Sequence, residues 1–109
     1  MKVIISVNTT WNIFNFRVGL IKTLQSQGYQ VFALSPADEY VERLEEIGVQ
    51  HIPIKLDQKG VNPFKDLNLI RQYYTIFKSI RPDLILSYTV KPNIYGNIAA
   101  RRLKIPTIN

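Results

Sequence analysis

Between Lys2 and Asn8 the chain reads KVIISVN, and within it Val3, Ile4, Ile5 and Val7 form a short β-branched run with little polar relief. A strand that wets one face alternates apolar with polar side chains; one this uniform is covered on both faces and belongs near the centre of a parallel sheet. Parallel neighbours need crossover connections, so the rest of the chain has to supply helices. Ligands of open α/β sheets bind beyond the carboxyl ends of the strands, which makes Asn8 to Asn15 the first place to look for function.

The remaining sequence meets that demand. Asn12 or Asn15 is expected to cap a helix running to about Gln27, with Phe16, Leu20 and Leu24 on one stripe and Ile13 or Ile21 beside it. Gly28 ends it, and YQVFAL follows as a second strand. Ser35, Pro36 and Asp38 resemble a capping box for a helix with Val41, Leu44 and Ile47 inside, which Gly48 closes. VQHIPI is a third strand, and Pro53 confines it to an edge or a strand end. After a charged loop from Lys55 to Asn62, Pro63 opens the longest helix, with Phe64, Leu67, Ile70, Tyr74, Phe77 and Ile80 as its expected stripe. Arg81-Pro82 stops it. LILSY is a fourth strand, Pro92 leads a helix with Gly96, Ala99 and Ala100 toward the sheet, and IPTIN begins a fifth strand.

Length and composition bound the function. A chain of 109 residues suits one domain. Without cysteine there are no disulfides or thiolate metal ligands, and with His51 as the single histidine a histidine-rich metal site is excluded for one chain. The amino terminus is too short and too soon interrupted for a signal peptide, and no run of apolar residues reaches the roughly 18 that suggest a membrane span, so the chain is expected to be cytoplasmic and soluble. The formal net charge of +6 favours anionic partners.

Alternating strands and helices imply an α/β fold, a doubly wound parallel sheet in a Rossmann-like three-layer sandwich with strand order 3-2-1-4-5. The switch point then falls between strands 1 and 4, and the loops Asn8 to Asn15 and Thr89 to Asn93 share one crevice. The familiar nucleotide signatures are missing: VNTTWNIFNF has no glycine before Gly19, and no P-loop is present. Acidic residues at the ends of strands 1 and 3, as in a phosphoacceptor switch, are missing too. SVNTTWN has only an approximate likeness to a flavin phosphate loop.

The segments NTTWNIFNFRVGLIKTL, GYQVFALSPADEY, IPIKLDQKGVNPFKD and RPDLILSYTVKPNIYGNIAARRLKIPTIN together resemble the amino-terminal part of bacterial glycosyltransferases of the GT-B fold, in the retaining, family 4-like group that builds polysaccharides and lipid-linked oligosaccharides. NTTWNIFNFR and TVKPNIYG are the most distinctive pieces. The resemblance implies an acceptor-side domain of an enzyme moving a hexose or N-acetylhexosamine from a nucleotide sugar to a glycan or polyprenyl-pyrophosphate-linked acceptor. It implies no cofactor, since the nucleotide sugar is a substrate. Residues 1–109 are then expected to be a truncated first domain, inactive alone, whose donor domain is absent. Peripheral contact with an anionic membrane, at its inner cytoplasmic face, is also expected.

Candidate acceptor contacts are Asn8, Thr9, Thr10, Trp11, Asn12 and Arg17 in and after the first loop, Lys59 after strand 3, and Thr89, Lys91 and Asn93 after strand 4; catalytic residues are not assigned, and no metal site is expected. Each has a structural alternative. Asn12 caps a helix, the threonines close a turn, Trp11 packs across the loop mouth with Phe14, Arg17 and Lys59 are solvated, and Thr89 to Asn93 form a capped helix entry. His51, with no acid beside it in sequence, reads as structural or exposed. Two other readings stay open: a two-domain sugar-nucleotide epimerase, which shares the architecture, and a basic nucleic-acid-binding module suggested by Arg101, Arg102 and Lys104. The second lacks base-stacking or recognition-helix signals.

Overall fold

The computed structural model of the chain describes residues 1–55, 63–88 and 90–108, with the backbone alone at 12, 16, 63–66 and 90–94. In order, these residues form β1 (Lys2–Ser6), α1 (Thr10–Phe16), α2 (Val18–Ser26), β2 (Gln30–Ser35), α3 (Val41–Glu46), β3 (Gln50–Pro53), α4 (Pro63–Ile80), β4 (Leu84–Ser87), α5 (Val90–Leu103) and β5 (Thr107–Ile108). The sheet is parallel throughout and runs β3-β2-β1-β4-β5, the order expected from the sequence. Val3, Ile4 and Ile5 have no exposed surface, because β1 is central and both of its faces are covered.

Strand alternation divides the core in two. Val3, Ile5, Val7, Val31 and Ala33 face Ile13, Ile21 and Leu44 of α1, α2 and α3. Ile4, Phe32, Leu34 and Ile85 face Leu69, Tyr73 and Phe77 of α4 and Ala99 and Ala100 of α5. The small residues of α5 sit inside, as their size suggests. Gly28 and Gly48 end α2 and α3 with φ of 88° and 87°, a region an L side chain enters only at a cost. In the second half the same left-handed position after a helix is taken by Arg81 (φ 54°) and Lys104 (φ 58°).

Three local expectations change. The first helix begins at Thr10, not at an asparagine cap: Asn15 Nδ2 donates instead to the carbonyl of Trp11, 2.9 Å away. It also bends, because Arg17 leaves helical geometry at φ −119° and ψ 3°, although its N–H still donates to Ile13 and its carbonyl accepts from Ile21. Ser35 does not cap α3. It remains in β2 beside Pro53 of β3, and α3 starts only at Val41. The inner stripe of α4 is Leu69, Tyr73 and Phe77, one residue round from the expected Ile70 and Tyr74, which are half-buried, while Leu67 is 57% exposed. That rotation lets α4 cover the sheet and pack on α5 together. The expected stripe residue Phe64 lies outside the described side chains.

Candidate functional site

The carboxyl ends of β1, β2 and β4 form one edge of the sheet, and β1 continues past its last residue through bonds to both neighbours. Val7 N donates to Leu34 O at 3.2 Å, and Tyr88 N donates to Ser6 O at 2.9 Å. The residues that follow β1 and β4 are therefore brought together, as the switch-point argument requires. Their meeting is visible in one contact: the Arg17 guanidinium lies 3.9 Å from the centre of the Tyr88 ring. Stacking on an aromatic face suits a planar cation and fixes its orientation. Arg17 is half-buried, and its Nε is enclosed without a hydrogen-bond partner among the described residues.

On the other flank, α1 is fastened to the segment after β2. Thr10 Oγ1 lies 2.7 Å from both the Pro36 carbonyl and Ser35 Oγ, while His51 Nε2 lies 3.0 Å from the Ser35 carbonyl and 3.1 Å from Ser35 Oγ. Carbonyls only accept, so the Thr10 hydroxyl donates to Pro36, Ser35 donates to Thr10, and the His51 proton resides on Nε2. Burial lowers the pKa of half-buried His51; the bond with Ser35 and the carboxylates of Asp38 and Glu45 act in the opposite direction. Asp38 adds a second fastening. Its Oδ2 accepts from Trp11 N at 3.0 Å and its Oδ1 from Tyr40 N at 2.8 Å. Phe14 stacks on Tyr40 at 5.6 Å between centroids, and Arg43 covers both rings.

The candidate residues take distinct places. Asn8 and Thr9 are half-buried in the turn after β1, and Trp11 is 44% exposed on α1. Thr10 is fully buried and its hydroxyl is committed inside the protein, so it holds the loop instead of facing the crevice. Asn12 is in α1, and Lys91 and Asn93 are in the first turn of α5, all three with side chains outside the described atoms. Lys59 and Thr89 lie outside the described residues. The sequence reading missed Tyr88, whose place directly after LILS, the strand beside the central one, was the available signal, and it missed the second role of Asp38, which arises from a contact across 27 positions.

Charge is segregated as well. Residues 1–54 carry four Lys or Arg against five Asp or Glu, whereas residues 55–109 carry ten against three. Of the ten, Lys65, Arg71 and Lys78 belong to α4 and Lys91, Arg101 and Arg102 to α5, the two helices that cover one face of the sheet. A groove of about 500 Å³ between these helices is lined by Ile70, Arg71, Tyr74, Thr75, Ala99 and Arg102. Among the described residues, no cluster of three His, Asp or Glu is placed to hold a metal ion, and no helix is long and apolar enough to cross a membrane.

A doubly wound sheet with its crevice at the switch point defines a Rossmann-like domain of the kind found in GT-B enzymes. Residues 2–109 match the family described as "Glycosyl transferase 4-like", and the chain belongs to that family. The chain is similar to the N,N'-diacetylbacillosaminyl-diphospho-undecaprenol alpha-1,3-N-acetylgalactosaminyltransferase of Campylobacter jejuni, with 33% identity over 95 residues, 87% of this chain but 25% of that protein. Its fold resembles Acinetobacter baumannii MurG, with a TM-score of 0.77 and 24% identity over 97% of this chain and 32% of that one. It also resembles the UDP-GlcNAc 2-epimerase of Neisseria meningitidis, with a TM-score of 0.70 and 17% identity over 98% of this chain and 31% of that one. At these identities the structural likenesses are likenesses of fold.

Proposed function

We propose that the chain is the acceptor-side domain of a glycosyltransferase that moves a hexose or N-acetylhexosamine from a nucleotide sugar to a glycan or polyprenyl-pyrophosphate-linked acceptor. The observation that carries this reading is the 33% identity, running over most of the chain, with an enzyme whose name specifies a diphospho-undecaprenol acceptor. The geometry supports it. Arg17 is a cation held by Tyr88 at the mouth of the crevice, where a diphosphate meets a positive charge whose orientation is already fixed. Asn8, Thr9, Trp11, Asn12, Thr89, Lys91 and Asn93 are the neighbours proposed to meet the sugar or phosphate, with Lys59 approaching from the loop after β3.

In the whole enzyme the acceptor hydroxyl attacks the sugar carbon and the nucleoside diphosphate leaves, its charge stabilised by groups we assign to a donor domain outside these residues. The 109 residues alone are therefore proposed to transfer no sugar. We also propose peripheral contact between the basic α4–α5 face and anionic lipid at the inner face of the cytoplasmic membrane. Arg71 and Arg102, which line the groove on that face, then take the leading part.

The test is an assay of the full-length protein against a panel of nucleotide sugars with a polyprenyl-diphosphate-linked acceptor. An arm without acceptor scores epimerisation of UDP-N-acetylglucosamine. Arg17→Ala is expected to raise the acceptor KM by about tenfold or more while leaving the nucleotide-sugar KM near its original value, the loss of one charge-assisted contact. Equal changes in both constants remove Arg17 from acceptor binding. Epimerisation without transfer overturns the proposed function.

A further inference from the structure

Ser6 and Ser87 are the last residues of β1 and β4, paired in register at the centre of the sheet. Side-chain alternation turns both toward the α4–α5 face, with Ile4 and Ile85. Tyr73 of α4 enters the same layer. Ser6 and Tyr73 have no exposed surface and Ser87 has 1%, yet the hydroxyl oxygens of all three lack a hydrogen-bond partner among the described residues. The Ser6 hydroxyl is near enough to Tyr73 to ease the upward pressure that burial puts on the phenol's pKa, but no bond of acceptable length and angle joins them. Buried hydroxyls pair with protein or with ordered water almost without exception, and three orphans in one place call for a common partner.

Gly96 supplies the room. It is a buried residue of α5, and a methyl group at its Cα would lie 3.9 Å from Tyr73 Cδ1, 3.9 Å from Phe77 Cζ and 4.0 Å from Ser87 Oγ, so the layer has space there for a methyl-sized group without a clash. We propose that Ser6, Ser87 and Tyr73 enclose an internal water site in the space Gly96 leaves beneath α5. One water, with two donors and two acceptors, satisfies the three hydroxyls together. An anion fits less well: the three groups carry no formal charge, and an enclosed anion forfeits its hydration without a cation to replace it. The water locks the ends of β1 and β4, the floor of the crevice, to α4. The inference does not depend on which sugar or acceptor the enzyme uses.

Two measurements test it. A crystal structure of this chain, at a resolution that shows ordered water, is expected to contain a peak at about 2.7–3.2 Å from Tyr73 OH and the two serine oxygens. Hydroxyls bonded directly to one another with no peak between them, or an anomalous peak at that position after a bromide soak, overturns the proposal. The second measurement is thermal unfolding of Gly96→Ala. Alanine favours a helix interior over glycine and the space admits it, so a merely structural glycine predicts a higher Tm. Displacement of a water that serves three hydroxyls predicts a lower one. Tyr73→Phe closes the cycle: it is expected to lower the Tm of the parent chain by roughly 4 °C and to leave that of Gly96→Ala unchanged or higher. A raised Tm for Gly96→Ala, or an equal effect of Tyr73→Phe in both backgrounds, overturns the water site.

Discussion

Three strands of this sheet end in serine, and the three serines meet opposite fates on opposite faces. Ser35 turns toward α1 and α3, where Thr10 and His51 satisfy it within a directed series of hydrogen bonds. Ser6 and Ser87 turn toward α4 and α5, where the protein offers their hydroxyls nothing among the described residues. The first face spends polar groups on fastening a loop; the second is held by apolar packing and carries its polarity outside, as arginine and lysine. A loop held in one orientation needs directional restraint, which hydrogen bonds give and apolar contact does not. The face away from that loop is free to accumulate charge.

The largest expected effect tests the apolar half of this comparison. Phe77 is fully buried between Tyr73, with ring centroids 5.8 Å apart, and the neighbourhood of Gly96. Phe77→Ala should destabilise the chain by roughly 3–5 kcal/mol, read from urea unfolding. A cost below 1 kcal/mol would mean that α4 contributes far less than its burial indicates.

Thr10→Val tests the polar half. Valine keeps the shape but removes the donor to Pro36 and the acceptor for Ser35, and stranding such groups costs roughly 1–3 kcal/mol. Ser35→Ala should cost less, because Thr10 keeps its carbonyl partner and His51 keeps the Ser35 carbonyl. If the order is reversed, the direction assigned to these bonds is wrong.

The sequence disclosed one half of this contrast and hid the other. Strand order, the central place of KVIISVN, the glycine stops and the small inner residues of α5 all follow from local pattern, because burial on both faces and positive φ leave marks within a few residues. The fastening of α1 leaves none. Thr10 meets Ser35 and Pro36 across 25 and 26 positions, and Asp38 meets Trp11 across 27, so a Ser-Pro-x-Asp segment that reads as a helix cap also serves tertiary contacts, Asp38 keeping its other oxygen for Tyr40 N just before α3. Arg17, for which a solvated place was the alternative, packs on Tyr88, and nothing local marks the bend at which it sits. In α4 Phe77 is buried as expected, but Leu69 and Tyr73 take the places expected for Ile70 and Tyr74, because periodicity fixes the spacing of a helical face and not which neighbour it meets.

Smaller effects probe the charge on the apolar face. Vesicles containing anionic lipid should bind the chain weakly at low salt and release it at high salt, while neutral vesicles bind little. Arg71→Glu and Arg102→Glu should each weaken that binding by more than the roughly 1 kcal/mol that one basic residue contributes, since each reverses a charge. Co-sedimentation unaffected by both variants would detach the groove from the membrane contact, and equal binding to both vesicle types would remove the electrostatic basis altogether. The left-handed helix ends give a test of similar size. Lys104→Gly should stabilise by about 1 kcal/mol, because lysine pays for a backbone region that Gly28 and Gly48 enter freely.

The smallest effect concerns pH and returns to Ser35. His51 donates from Nε2 to the Ser35 carbonyl, and burial holds its pKa below the ordinary 6.5, against the pull of that bond and of Asp38 and Glu45. In the unfolded chain the imidazole titrates near its ordinary value. Between the two values the unfolded state binds a proton that the folded state refuses, so stability rises with pH across that window. The contribution is complete above the unfolded pKa, falls as pH drops through the window and levels off below the folded pKa. His51→Gln keeps an amide donor for the Ser35 carbonyl and cannot be protonated there. Urea midpoints measured at about pH 7.5 and about pH 5, the latter still above the ordinary carboxylate range, should therefore fall more for the parent chain than for His51→Gln. If the two lose stability in parallel, the acid sensitivity belongs to other groups and the bonds among His51, Ser35 and Thr10 are indifferent to the proton on the ring.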